Sequence, residues 1–204
     1  MNLQMILSGV GGQGILFSTR MFTTLALGQG YNVIGSETHG MAQRGGSVIS
    51  HLKIGDYSSP LVRKGTADIL LSFDRDEAYR TLDFLKRGGL CFVNSPKGDF
   101  WDPGIKGYLE SNEIRAYSFP ADKVALALGA PRSANLALIG YALSVPDVPF
   151  TYEDVRETIV RVSPSRFRGV NLKAFDTGYR EEKSIPPKAC PEQDRRVGGD
   201  RGGA

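Results

Sequence analysis

The sequence predicts an α/β fold, a three-layer αβα sandwich around a mixed sheet. Short apolar runs bounded by glycine or proline alternate with longer helical stretches, the pattern of a sheet covered on both faces. A glycine-rich turn joins the first such run to a long apolar helix. The third strand segment follows the second with no helical stretch between them. A parallel pair needs a long crossover, so part of the sheet is expected to be antiparallel.

Residues 4–10 form a short apolar run ending in glycine, as a buried strand does. Residues 13–29 follow as a helix in which Arg20 is the only charge, with Gly28 and Gly30 at its exit. A helix so apolar needs cover on more than one side, and besides the sheet a partner subunit is a candidate for it. Strands are expected at 31–37 and 47–54, the latter closed by Gly55-Asp56, and at 68–72. A helix at 75–86 is stopped by Gly88-Gly89. The strand at 90–93 contains Cys91 and is closed by Asn94-Ser95-Pro96. Residues 97–112 hold Gly98, Pro103, Gly104 and Gly107 and are expected to be mostly loop, pinned to the core by Trp101. Another strand, 114–119, ends at Pro120. Helices at 121–128 and 134–143 are joined by Gly129-Ala130-Pro131-Arg132. Thr151 is placed to cap a helix to 162, with Asp154 in its first turn, and 171–179 is a last helix. This gives one domain over residues 1–179. Residues 180–204, with Ile185 and Val197 as their only large aliphatics, are expected to be a disordered tail.

Composition narrows the function. The hydrophobic and charged fractions, 41% and 23%, are those of a soluble globular chain. A net charge of +3, without a basic stripe interleaved with aromatics, argues against nucleic acid. There is no basic n-region before the first apolar run and no stretch of membrane-spanning length, so no signal peptide or membrane partner is expected and the cytoplasm is the expected compartment. Two cysteines are too few for a disulfide framework, an iron–sulfur cluster or a structural zinc, and Cys91 reads as a small core residue.

Two segments carry chemistry. Gly9-Val10-Gly11-Gly12-Gln13-Gly14 satisfies G-x-G-x-x-G at Gly9, Gly11 and Gly14, between a strand and a helix, which is the Rossmann-like place for a dinucleotide. Glycines admit a tight turn and close backbone approach, and the helix start offers N–H groups to an anion. Glu37 even stands where a ribose-binding acid would. No lysine follows the turn, so the Walker pattern is excluded. The second segment, Ser36-Glu37-Thr38-His39-Gly40-Met41-Ala42-Gln43-Arg44-Gly45-Gly46-Ser47, puts an acid, an imidazole, an amide and a guanidinium in a glycine-freed loop. Arg44 suits a carboxylate or phosphate, and His39 suits proton relay or hydrogen bonding. The plain alternative is that Arg44 pairs with Glu37 and His39 satisfies a backbone carbonyl. An independent NAD(P)- or FAD-binding oxidoreductase and a non-catalytic module sensing a nucleotide or acyl-CoA both remain open on these residues.

Together, the glycine turn and Glu37-Thr38-His39-Gly40-Met41-Ala42-Gln43-Arg44-Gly45-Gly46 resemble the gamma-type domain of 2-oxoacid:ferredoxin oxidoreductases. The Thr-His-Gly-Met form most resembles the small (beta) subunit of the indolepyruvate branch. Pro131-Arg132-Ser133-Ala134-Asn135-Leu136-Ala137-Leu138-Ile139-Gly140 is similar to the family's Asn-containing helix, and 171–178 to its closing segment. The resemblance covers about 5–179. It implies a subunit without a cofactor of its own, working with a large subunit that carries thiamine diphosphate and iron–sulfur clusters. That complex would convert an arylpyruvate, coenzyme A and oxidised ferredoxin to aryl-acetyl-CoA, carbon dioxide and reduced ferredoxin. No catalytic nucleophile is then expected here. Gly9, Gly11, Gly12 and Gly14, with Glu37, His39, Arg44, Gly45 and Gly46, are expected to shape the approach of coenzyme A or oxoacid at the interface, and Asn135 either joins them or makes a buried hydrogen bond.

Overall fold

The structure, a computed structural model, describes residues 1–40, 45–96 and 100–181. Strand β1 (Leu3–Val10) leads into helix α1 (Ile15–Gly28), then β2 (Val33–His39), β3 (Ser47–Ile54) and β4 (Ala67–Ser72). Helix α2 (Arg75–Thr81) tightens into a 3₁₀ turn (Leu82–Phe84) that runs directly into β5 (Leu85–Asn94). Next come α3 (Pro103–Ser111), β6 (Arg115–Phe119) and α4 (Ala121–Ala127). A 3₁₀ turn (Pro131–Ser133) opens α5 (Ala134–Leu143), and α6 (Tyr152–Val162) and α7 (Ser165–Glu181) follow.

The sheet has the order β2-β3-β1-β4-β5-β6. β3 runs antiparallel to both neighbours, while β1, β4, β5 and β6 pair in parallel. The fold is therefore the expected αβα sandwich with a mixed sheet. Side chains alternate across it. Met5, Leu7, Leu71 and Phe92 face the layer of α1, α4, α5, α6 and α7, whereas Ile6, Leu70, Cys91 and Val93 face α2 and α3. Much of the second cover for α1 comes from the chain itself: Phe22 packs on Phe150 at 5.3 Å and Gln29 donates to Asp154 at 2.9 Å on α6. Leu16 and Leu27 stay exposed.

Three elements differ from expectation. α2 stops at Thr81, and Gly88-Gly89 lie inside β5, where Gly88 takes a φ of 74° and the register with β4 shifts. The stretch expected as loop contains α3. Asp102 caps it by accepting from Ile105 N at 2.9 Å, and Pro103 stands at its first position, where a missing N–H costs nothing. α7 begins at Ser165, ahead of the expected 171. Trp101 is buried against Tyr79 and Phe100 as expected, and Thr151 caps α6 by accepting from Asp154 N at 3.1 Å. The tail expectation lies outside the described residues from 182 onward. Among the described residues no helix is long and apolar enough to cross a membrane.

Candidate functional site

β1 is joined through α1 to β2 on one side of the sheet, while β4 pairs on the other side of β1. In open α/β sheets such a reversal opens a crevice at the carboxyl ends of the strands, and ligands gather there. The glycine turn sits at this place and is closed largely on itself. Gln13 folds back so that its Oε1 accepts from Val10 N at 2.7 Å, and its own N–H reaches Val10 O at 3.1 Å. Gly11 N donates to Gly46 O at 2.9 Å, joining the turn to the end of the second loop. These N–H groups are already satisfied, so the turn presents fewer donors to a pyrophosphate than a dinucleotide fingerprint does. The insertion of β3 between β1 and β2 also displaces Glu37. It stands two strands from the turn, about 10 Å across the sheet at about 5 Å per strand, instead of on the adjacent strand.

Glu37 and His39 lie on the same face of the edge strand β2, with His39 Nε2 3.7 Å from Glu37 Oε2. Both are substantially exposed, so the pair contributes little to stability. Arg44 lies outside the described residues, as do Met41, Ala42 and Gln43. The loop rejoins the body at Gly45, with a φ of 71°, and Gly46. Gly40 N donates to Ser47 O at 2.7 Å and closes the loop's base.

Asn135 is buried at the start of α5, and its Nδ2 donates to Ser18 Oγ at 3.0 Å and to Gly14 O at 3.3 Å. Gly14 takes the left-handed conformation (φ 84°), and a Cβ there would lie 2.6 Å from Asn135 Nδ2. Asn135 thus ties the start of α5 to the start of α1.

Beside this junction is a cavity of about 590 Å³ whose walls include Gly14, Phe17, Arg132, Asn135, Arg166 and Phe167. It lies where the starts of α1, α5 and α7 meet, so the positive ends of three helix dipoles converge on it. Among the described residues no acidic side chain lines it. Its walls are tied together by Ser133 Oγ donating to Asn171 Oδ1 at 2.8 Å and Asn171 Nδ2 donating to Ser163 Oγ at 3.0 Å. The Arg166 guanidinium carbon lies over the Phe167 ring, 4.6 Å from its centre. Arg132, Arg166 and Phe167 were not among the residues expected from the sequence. Arg132 stands three positions before Asn135 in a segment that had been singled out, whereas Arg166 and Phe167 lie in a stretch that carried no helical signal. Among the described residues no three His, Cys, Asp or Glu side chains converge as metal ligands.

Comparison with known proteins adds to this geometry. Residues 4–181 match the family described as pyruvate ferredoxin/flavodoxin oxidoreductase. The chain is 37% identical over 194 residues to the indolepyruvate oxidoreductase subunit IorB of Pyrococcus horikoshii, a match covering 88% of this chain and 96% of the relative. The fold is shared with the gamma subunit of a keto/oxoacid ferredoxin oxidoreductase from Geobacter sulfurreducens, at a TM-score of 0.71 and 23% identity, covering 90% of this chain and 99% of the other. It is also shared with the 2-oxoglutarate:ferredoxin oxidoreductase of Magnetococcus marinus, solved with 2-oxoglutarate, coenzyme A and succinyl-CoA bound, at a TM-score of 0.71 and 22% identity, covering 93% of this chain and 32% of that one. The chain belongs to the pyruvate ferredoxin/flavodoxin oxidoreductase family, as a small subunit of a 2-oxoacid:ferredoxin oxidoreductase.

Proposed function

We propose that the complex oxidatively decarboxylates indolepyruvate or a related arylpyruvate, and that this chain supplies one wall of the coenzyme A and oxoacid approach without a cofactor of its own. A large partner subunit carries thiamine diphosphate and the iron–sulfur clusters, and ferredoxin takes the electrons. The reaction consumes the oxoacid, coenzyme A and oxidised ferredoxin and yields aryl-acetyl-CoA, carbon dioxide and reduced ferredoxin. Thiamine diphosphate, when bound by the partner, supplies the carbanion chemistry. The residues of this chain bind and orient.

The observation that carries the proposal is the cavity of about 590 Å³ beside the glycine turn. Coenzyme A is an amphipathic polyanion. Arg132 and Arg166 offer its phosphates charge-assisted bonds, the converging helix starts favour the same charge, and Phe17 and Phe167 offer apolar contact to its organic parts. In this proposal His39, Glu37, Gly45 and Gly46 approach the same ligand from the loop side, and Arg44, which lies outside the described residues, is assigned to the same task from its sequence alone. The indolepyruvate assignment draws on the IorB relative, and the role of coenzyme A on the bound ligand of the 2-oxoglutarate enzyme. The catalytic-complex domain spans 1–179, with 180–204 as an appended tail, and the assembly works in the cytoplasm.

Reconstitution tests this. The isolated chain is expected to show no turnover and no saturable binding of NAD, NADP or FAD. Addition of the large subunit restores ferredoxin reduction that depends on indolepyruvate and coenzyme A. Dye reduction by the isolated chain with those two substrates would overturn the proposal. Saturable binding of a nicotinamide or flavin, abolished by Gly12→Asp, would point instead to an independent dinucleotide enzyme.

A further inference from the structure

We infer that Asn171 is a positioning residue. Its side-chain amide bridges Ser133 and Ser163, and so fixes the turn that carries Arg132 against the helix start that carries Arg166, setting the spacing of two guanidinium groups for the phosphates of coenzyme A. The inference rests on the reading of the cavity proposed above.

The two halves of α7 have different support. Ala174 and Phe175 are fully buried, whereas residues 165–170, the outer turn that includes Arg166, are exposed. A helix start without buried contacts opens readily. Asn171 is the next residue, and its amide supplies the tie. Its Oδ1 accepts from Ser133 Oγ at 2.8 Å, and its Nδ2 donates to Ser163 Oγ at 3.0 Å. Ser133 is 3% exposed and Ser163 4%. Among the described residues neither hydroxyl has another hydrogen-bond partner. Leaving a buried hydroxyl unpaired costs more than one such bond contributes, so the three side chains hold together as a unit.

That unit joins the two segments that bear the charges of the cavity. Ser133 closes the 3₁₀ turn directly after Arg132, and its N–H is fixed on Ala130 O at 2.8 Å. Ser163 ends α6 with its N–H on Ile159 O at 3.0 Å, and Arg166 follows three residues later. Phe167 N then donates to Pro164 O at 2.9 Å, which places the Phe167 ring under the Arg166 guanidinium. Arg132 and Arg166 are therefore both referenced to one amide. Without it the two guanidinium groups would sample many spacings, and a polyanion would have to order them as it bound. Arg132, Ser133, Arg166 and Asn171 line the cavity, whereas Ser163 does not. A change at Ser163 therefore reaches the ligand only through the bridge.

The test combines kinetics with amide exchange, both in the reconstituted complex. Asn171→Ala and Ser163→Ala each raise KM for coenzyme A about threefold to tenfold, the size of one neutral hydrogen bond, at unchanged kcat. In an Arg132→Ala/Arg166→Ala background Asn171→Ala adds nothing, because it acts through those two groups. Amide exchange at Ser133 and Phe167 quickens in Asn171→Ala. Unchanged exchange overturns the bridge. Quickened exchange with a wild-type KM in Asn171→Ala, where the double arginine variant does raise KM, makes Asn171 a structural brace and overturns the positioning role. A full further rise in KM in the double arginine background overturns its action through Arg132 and Arg166. A wild-type KM in the double arginine variant, together with quickened exchange in Asn171→Ala, overturns the coenzyme A reading of the cavity while supporting the bridge.

Discussion

His51 shows how one side chain's surroundings set a property of the whole subunit. It lies on β3, facing away from α1. Its Nδ1 accepts from Val62 N at 3.3 Å, and its ring stands edge-on to Phe84 at 5.4 Å between centres. Burial, and then the charge of Lys53, hold its pKa below the ordinary value of 6.5. The folded chain thus keeps His51 neutral at a pH where the unfolded chain already takes up a proton. The unfolded state binds more protons just below pH 6.5, so this stability is fully present above that value and is lost as pH falls through it toward the lower folded pKa. The urea midpoint of the isolated subunit is expected to fall as pH drops below 6.5, and His51→Gln, which keeps an acceptor for Val62, is expected to flatten that slope. An identical slope in the variant would assign the pH dependence elsewhere.

Among the elements, helices α5 and α7 pack backbone to backbone at two glycines. A Cβ on Gly178 would lie 1.9 Å from Ala137 O, and one on Gly140 would lie 2.1 Å from Phe175 O. Both obstacles are helix backbone, which cannot swing aside as a side chain can. Gly178→Ala is therefore expected to destabilise the subunit by about 1–3 kcal/mol or more. Gly107→Ala, exposed in α3 with open space around it, is expected to stabilise by about 0.5–1 kcal/mol. Comparing their urea midpoints checks the packing, and equal shifts would refute it. The same helices show what was legible in the sequence. β1, α1, β3 and β4 follow from apolar runs and punctuating glycines, since burial on one or two faces writes itself into those residues. α3 was hidden because glycines at 104 and 107 outweighed its Asp102-Pro103 start signal. The beginning of α7 was hidden because Ser165, Arg166, Phe167 and Arg168 are exposed there, and an unburied turn leaves no apolar period to detect. That loss carried the site with it. The glycine turn and the 37–46 loop were visible as motifs, whereas Arg166 and Phe167 reach the cavity only through a helix start that the sequence did not mark.

At the scale of the whole molecule, the site is a meeting of helix starts rather than a motif. α1 follows β1, α5 follows a 3₁₀ turn and α7 follows α6, so residues more than 100 positions apart converge on the cavity, as the Asn135-to-Gly14 hydrogen bond demonstrates (|i−j| = 121). The net charge of only +3 cannot steer an anionic ligand from a distance, so any preference for one must arise locally, from Arg132, Arg166 and the helix dipoles. This makes the two arginines separable from the fold. Arg132→Ala and Arg166→Ala, both changes at the cavity wall, are expected to leave assembly with the large subunit and kcat intact. Each should raise KM for coenzyme A about tenfold, the size of one lost charge-assisted hydrogen bond. The double variant should also lose most of the salt dependence of that KM, because screening acts on the charges removed. Desulfo-coenzyme A binding to the assembled complex, measured without turnover, isolates the binding step from the chemistry. If both its affinity and its salt dependence are unchanged in the double variant, the phosphates of coenzyme A are held by the large subunit, and the cavity serves another ligand.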